Sequence, residues 1–138
     1  MAKRPSGPKK TLTAPNLAAL GADRLAGLLM EVAGGDALWK RRLRMELAGE
    51  VGAADLALEL DKRLTSLGDS RVRVSWRKRP ELIRDLQSLR RMIVDRLAPL
   101  DARLAFDRMV SWFDLYPGLT ARVTDPKEIG RASCRERV

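Results

Sequence analysis

The amino-acid sequence predicts an all-α fold, a bundle or solenoid-like array of about five helices. First, hydrophobic residues make up 45% of the 138-residue chain, and leucine and alanine, both strong helix formers, supply most of them. Second, apolar residues recur at intervals of three and four in several stretches. Third, one short stretch alternates like a strand, but a lone strand would leave its backbone groups without partners.

The predicted domain organisation begins with a disordered basic arm, residues 1–13. The arm contains four basic residues and no acidic one, interleaved with proline and glycine. A helical domain over residues 14–124 follows, and a helical turn at residues 16–20 is its first element. Residues 125–138 are predicted to be an unstructured tail.

The first full helix is predicted over residues 22–33, where four apolar residues follow the i, i+3, i+4, i+7 pattern: Leu25, Leu28, Leu29 and Val32. Gly34 and Gly35 are expected to end it with a left-handed C-terminal cap. Asp36 is a good N-cap for the next helix, which continues through Ala48. On that helix one face repeats every four residues, with Trp39, Leu43 and Leu47.

A third helix is predicted over residues 53–67, after a break at residues 49–52. Its apolar stripe consists of Ala53, Leu56, Ala57, Leu60, Leu64 and Leu67. Glu59 and Arg63 are four residues apart and are expected to pair on its polar side. Gly68 is expected to close the helix.

Residues 71–76 alternate polar and apolar side chains, but an extended linker or an irregular helical turn is favoured over a strand. The next helix is predicted from Pro80 to Leu97, because proline suits a first turn and the pair Ala98-Pro99 is unfavourable for continuation. A further helix is predicted over residues 101–115, stopped by Pro117-Gly118. Residues 119–123 would begin another.

The last eleven residues, 128–138, read EIGRASCRERV and have no apolar period. They look like the translation of a high-throughput sequencing adapter, and segments of that origin are excluded from fold reasoning. On this interpretation the gene continues past Lys127 and the chain is a truncated N-terminal fragment. The alternative is an ordinary basic C-terminal tail.

Candidate catalytic chemistry is sparse. The chain has no histidine, and its one cysteine, Cys134, lies in the adapter-like tail. The usual proton shuttle, thiolate nucleophile and soft metal ligands are therefore missing, and no glycine-rich phosphate loop occurs. We expect no catalytic residues, cofactor or metal. No stretch resembles a membrane helix or a secretory signal, so a cytoplasmic location is predicted.

The densest positive charge lies in residues 71–91, where eight basic residues stand against two acidic ones. Seven residues there are candidate nucleic-acid contacts: Arg71, Arg73, Trp76, Arg77, Lys78, Arg79 and Arg84. The cations would grip phosphates, and the indole would stack on a base. The sequence favours the alternative that Trp76 is a core anchor beside a solvated basic face, because no DNA-binding motif surrounds it.

Two stretches, GDALWKRRLRMELAG and LRRMIVDRLAP, are the most recognisable parts of a wider similarity that covers roughly residues 12–124. This region resembles the N-terminal part of an uncharacterised bacterial family, a domain of unknown function. The resemblance implies an all-helical protein, longer than this chain and of helical-repeat type. It supplies no catalytic residue.

The function favoured by the sequence is a non-catalytic helical module for protein interaction or scaffolding, the N-terminal part of a longer protein. Its last helix would leave an apolar face around Met109, Trp112 and Phe113 for a neighbour to cover. The alternative function is a nucleic-acid-binding module that uses residues 71–91. A third interpretation is an enzyme whose site lies in a further part of the protein.

Overall fold

The computed structural model describes residues 10–123, which form helices joined by short connections. The elements are α1 (Ala14–Ala18), α2 (Ala22–Gly35), α3 (Ala37–Val51), α4 (Ala53–Asp69), α5 (Arg79–Arg91), a π-helical segment (Met92–Leu97), α6 (Ala98–Leu100), α7 (Ala102–Asp114) and α8 (Tyr116–Val123). No strand occurs in this part of the chain, and five of the helices have 13 residues or more. The predicted all-α class is confirmed.

The predicted arm, apart from residues 10–13, lies outside the described residues, and so does the predicted tail with its adapter-like part, residues 128–138. The chain divides into two compact units, residues 1–41 and 42–138. Each unit is described separately below.

In the first unit, Thr13 caps α1, because its side-chain oxygen accepts a hydrogen bond of 3.3 Å from the backbone N–H of Asn16. Helix α2 begins after Gly21, whose φ of 91° lies in the left-handed region that favours glycine. Its predicted apolar stripe is present as a helical face, yet Leu28, Leu29 and Val32 remain more than two-fifths exposed. The periodicity sets the apolar side of a helix but supplies nothing to cover it.

The glycines end fewer helices than expected. Gly34 and Gly35 lie inside α2, and the left-handed cap predicted there is wrong, since the following residue, Asp36, is extended with φ −141°. Asp36 does cap the next helix, because its Oδ1 accepts a 2.9 Å hydrogen bond from the Leu38 N–H. Gly49 and Gly68 also lie inside helices, which end at Val51 and Asp69.

The core of the second unit is built on α4. Every leucine of its predicted stripe is buried, and Leu56 and Leu60 have no exposed surface. They pack in one cluster with residues from the other elements: Met45, Leu89, Met92, Ile93, Leu97, Ala105, Leu115 and Leu119. The stripe predicted for α3 is less accurate, because Met45 is its buried residue and Leu47 is 70% exposed.

The helix predicted to end at Leu97 instead continues as the π-helical segment and α6 to Leu100, across Pro99. In a straight α-helix Arg96, seven residues after Leu89, would share its buried face. The wider π turns shift this register, so that Leu97 is fully buried and the Arg96 side chain is half exposed. The π-helical segment thus keeps a charge out of the core.

Helix α7 starts as predicted: Asp101 is its N-cap and accepts a 3.0 Å hydrogen bond from the Leu104 N–H. Pro117 and Gly118, which were predicted to stop this helix, lie in the first turn of α8, where a proline needs no N–H partner. The indole Nε1 of Trp112 donates to the backbone oxygen of Leu86 at 2.9 Å and so joins α7 to α5.

Two ion pairs join α4 to its neighbours. Arg63 does not pair with Glu59 as expected; its guanidinium donates to Asp85 on α5, a carboxylate only 4% exposed. Arg108 on α7 forms a bidentate ion pair with Asp61: its Nε donates to Oδ1 at 3.1 Å, and its Nη2 donates to Oδ2 at 2.8 Å. Burial of Asp85 is tolerable because a cation and hydrogen bonds accompany it.

Candidate nucleic-acid interface

The candidate site is the basic segment, which we define as residues 71–84. It leaves α4 at Ser70, continues without helix or strand to Ser75, makes a turn at residues 76–78 and enters α5. The prediction of a linker or turn rather than a strand is confirmed, and two of its backbone groups, at Val72 and Val74, are hydrogen-bonded to α8. The N–H of Val74 donates to the carbonyl oxygen of Arg122 at 3.1 Å.

Arg122, near the end of α8, holds this linker in place. Its Nε donates to the carbonyl oxygen of Val72 at 2.7 Å, and its Nη1 donates to that of Leu67 at 3.1 Å. Arg79 ties the other end of the linker, because its Nη2 donates to the carbonyl oxygen of Val123 at 2.8 Å. The basic segment is thus fastened at both ends to the same short helix.

Trp76 lies at the turn of the segment with 65% of its surface exposed. The expectation that it is a core anchor is wrong. The guanidinium carbon of Arg77 lies 5.5 Å from the centre of its ring, a cation–π contact. Since an exposed indole loses the stabilisation that burial gives it, this residue has no packing reason to be there.

The other predicted contacts divide by environment. Arg71, Arg73, Lys78 and Arg84 are exposed, whereas Arg79 is partly buried and directed to the end of α8. The structure therefore brings six of the seven candidates to the surface: Arg71, Arg73, Trp76, Arg77, Lys78 and Arg84. Arg79 instead anchors the segment to α8 through its hydrogen bond to the carbonyl oxygen of Val123.

A groove with a volume of about 350 Å³ adjoins the segment. Its lining includes Arg71 and Arg73 of the segment, Asp114 at the end of α7, and residues of α8. A second groove, of about 340 Å³, lies between α3 and the π-helical segment and is more acidic, with Glu46, Glu50 and Asp95 among its residues. There the hydrogen bond and charge of Glu46 raise the pKa of Arg96.

Within residues 10–123, no group of three or more histidine, cysteine, aspartate or glutamate side chains could hold a metal ion. No helix in that range is long and apolar enough to cross a membrane. What the segment offers is cations for phosphates and one aromatic face for a base.

Sequence reasoning did not find Arg122. Its partners, Leu67 and Val72, lie about fifty residues earlier in the chain, and no local pattern links positions so far apart. The one available signal was weak: an unpartnered extended segment needs donors and acceptors from somewhere.

Fold and site together define a helical domain that carries a basic, tryptophan-bearing segment on its surface. The chain belongs to a family of unknown function, DUF6880, whose sequence model matches residues 8–131. This confirms the similarity to an uncharacterised family inferred from the two recognisable stretches. No curated protein and no solved structure matches the chain.

Proposed function

We propose that this protein is a non-catalytic helical module that binds single-stranded nucleic acid through the basic segment. The observation that carries the proposal is the exposure of Trp76, 65%, in the middle of exposed cations. Stacking of a base on an aromatic side chain contributes about 1–3 kcal/mol per base. A solvated basic face without an aromatic residue would offer no such contact.

A single strand fits this segment better than a duplex. The connection between α4 and α5 spans residues 70–78, longer than the turn of a helix-turn-helix, and α5 carries no arrangement known to enter a groove. An indole can stack only on a base that is not already stacked in a duplex. The extended backbone and the turn present Trp76 and Arg77 together.

Fluorescence anisotropy with a labelled single strand of about a dozen nucleotides, a length within the range of single-strand site sizes, tests the proposal. We expect binding that weakens steeply as salt rises, because phosphate contacts release counterions. Trp76→Ala should weaken binding about tenfold or more, the loss of one stacked base. Phe106→Ala is the matched control, an aromatic residue that is 69% exposed on α7.

Lys78→Ala should weaken binding to all base sequences equally and reduce the salt dependence by about one phosphate contact. Arg103→Ala, an exposed arginine on α7, is its control. Absence of binding at low salt, or binding indifferent to salt, would contradict the proposal. Equal affinity for duplex and single-stranded oligonucleotides would contradict the proposed stacking of a base on Trp76.

The second candidate function is the protein-interaction module, and the exposed face of α7 favours it. Of the three residues expected to form that face, Phe113 is 63% exposed while Met109 and Trp112 are partly buried. The exposed stripe consists instead of Phe106, Val110 and Phe113, spaced i, i+4, i+7. Three exposed charged residues of α7 lie beside this stripe, two acidic and one basic: Asp107, Asp114 and Arg103.

Because of those carboxylates, the partner proposed for this stripe is an amphipathic helix with basic residues beside its apolar face. A designed peptide of that kind should bind more tightly than a peptide whose lysines are replaced by glutamates. Replacing Phe106 and Phe113 by serine should abolish the difference. Equal or absent binding of the two peptides, measured by calorimetry, would argue against this candidate.

The cytoplasmic location and the helical-repeat architecture remain predictions of the sequence. The absence of catalysis is likewise part of the proposal, and it is supported by the lack of histidine anywhere in the chain.

A further inference from the structure

The groove beside the basic segment shares Arg71 and Arg73 with it. It is bounded by the end of α4, the first residues of the segment, Asp114 and α8, and Trp76 is not among its lining residues. Its volume, about 350 Å³, is within the range of roughly 300–1,000 Å³ typical of small-molecule sites. A nucleic-acid strand bound along the segment would therefore contact this groove at a position separate from Trp76.

The lining of the groove combines two kinds of group. Arg71 and Arg73 contribute positive charge, which suits a phosphate. Asp114 contributes a carboxylate, which repels a bare anion but accepts hydrogen bonds from sugar hydroxyls and base amino groups. A molecule with a phosphate at one end and donor groups at the other satisfies both sides.

The walls of the groove are held in position by the protein. Arg122, which also lines the groove, donates hydrogen bonds from its guanidinium to the carbonyl oxygens of Val72 and Leu67. Gly118 leaves its α8 side open, since a Cβ added there would meet no atom within 4 Å.

We infer that this groove binds one nucleotide unit, its phosphate against Arg71 and Arg73 and its sugar or base edge against Asp114. The inference rests on the proposed function, because that unit belongs to the strand whose neighbouring base stacks on Trp76. The same chemistry is offered by a free nucleoside monophosphate. The experiment therefore includes both forms of the ligand.

The decisive variant is Gly118→Leu, because Gly118 lines the groove and a Cβ added there would meet no atom within 4 Å. Adenosine monophosphate and inorganic phosphate are titrated into the labelled protein by NMR, and the oligonucleotide by anisotropy. We expect the monophosphate to bind more tightly than phosphate, and Gly118→Leu to weaken it about tenfold or more, a change well outside titration error. Oligonucleotide affinity should fall as well.

Gly34→Leu is the matched control, because Gly34 also lies in a helix with no atom within 4 Å of an added Cβ. It should change neither affinity. Gly118→Ala, a smaller addition, should give a smaller loss, and thermal unfolding of each variant confirms that the fold is retained.

The outcomes separate the two proposals. Trp76→Ala should weaken the oligonucleotide and leave the monophosphate unaffected, since Trp76 is outside the groove. Strand binding that Gly118→Leu does not alter would overturn the groove inference while the proposed function stands. Monophosphate binding without strand binding would overturn the proposed function and keep the groove as a free-nucleotide site. Phosphate binding as tight as monophosphate binding would overturn the inference.

Discussion

Helix α4 and the basic segment follow each other in the chain and are held by opposite means. Helix α4 is held by burial: Leu56, Leu60, Leu64 and Leu67 are at most 5% exposed. In the basic segment Val72 is 72% exposed and Trp76 is 65% exposed, and the segment is held by hydrogen bonds with the end of α8.

This difference separates stability from binding. Burial of apolar surface is the dominant favourable contribution to folding, so the free energy of unfolding resides mainly in α4 and its neighbours. A segment fastened by a few hydrogen bonds contributes little to that free energy but keeps its side chains accessible. Substitutions in the two regions should therefore have different signatures.

The largest expected effect on stability is that of Leu60→Ala. Leu60 has no exposed surface, and its truncation should lower the free energy of unfolding by about 2–5 kcal/mol, measured by urea denaturation. Leu58→Ala on the same helix, at 55% exposure, should change it by less than about 0.5 kcal/mol. The folded fraction of Leu60→Ala should bind the oligonucleotide normally. Similar costs at the two leucines would contradict the packing described for α4.

Next in size is Asp85→Asn, which leaves the guanidinium of Arg63 without its counter-charge in a mostly buried place. We expect a loss of about 1.5–3 kcal/mol, the contribution of a hydrogen bond to a charged group. Glu46→Gln, in the exposed pair with Arg96, should cost less. Replacing Arg63 by Met and Asp85 by Leu together should recover part of the loss; failure to recover any would mean that the pair is not the cause.

Arg122→Met should have a smaller effect, confined to the basic segment. It keeps the aliphatic stem but removes the donors to Val72 and Leu67, at a cost of about 1–2 kcal/mol. Hydrogen exchange at the Val74 amide should accelerate, while amides of α4 at Leu60 keep their protection. Faster exchange throughout both regions would show that Arg122 supports the whole core instead.

The smallest effect on stability is expected for Trp76→Ala, within about 0.5 kcal/mol, because the side chain is mostly solvated. Its effect on oligonucleotide affinity should nevertheless exceed that of every other substitution in this group. A substantial loss of stability, seen as a lower midpoint of urea denaturation, would return Trp76 to the role of a packing residue.

The leucine stripe of α4 shows what a sequence pattern can establish. Its spacing identified the buried face, because a helix of 3.6 residues per turn leaves one geometry for that pattern. Prediction was poorer at helix ends: Gly49 and Gly68 lie inside helices, because a helical glycine costs only about 1 kcal/mol and packing nearby, as at the buried Leu67 beside Gly68, outweighs it.

The sequence named the residues of the candidate site, but it predicted the environment of Trp76 wrongly. Trp76 looks like a core residue in the sequence, as a large apolar side chain between valines and arginines would. Whether it is covered depends on which element lies over residue 76, and nothing local contains that information. The pairing of Arg63 with Asp85 rather than Glu59 has the same origin.

By itself, the sequence determined the all-α class, the buried face of α4, the cap at Asp36, and the concentration of charge in residues 71–91. These follow from interactions within one or two helical turns. Only the tertiary structure decided that Arg63 pairs with Asp85, that Arg122 fastens the basic segment, and that Trp76 faces solvent. Those depend on contacts between residues far apart in the chain, which packing selects and no periodicity records.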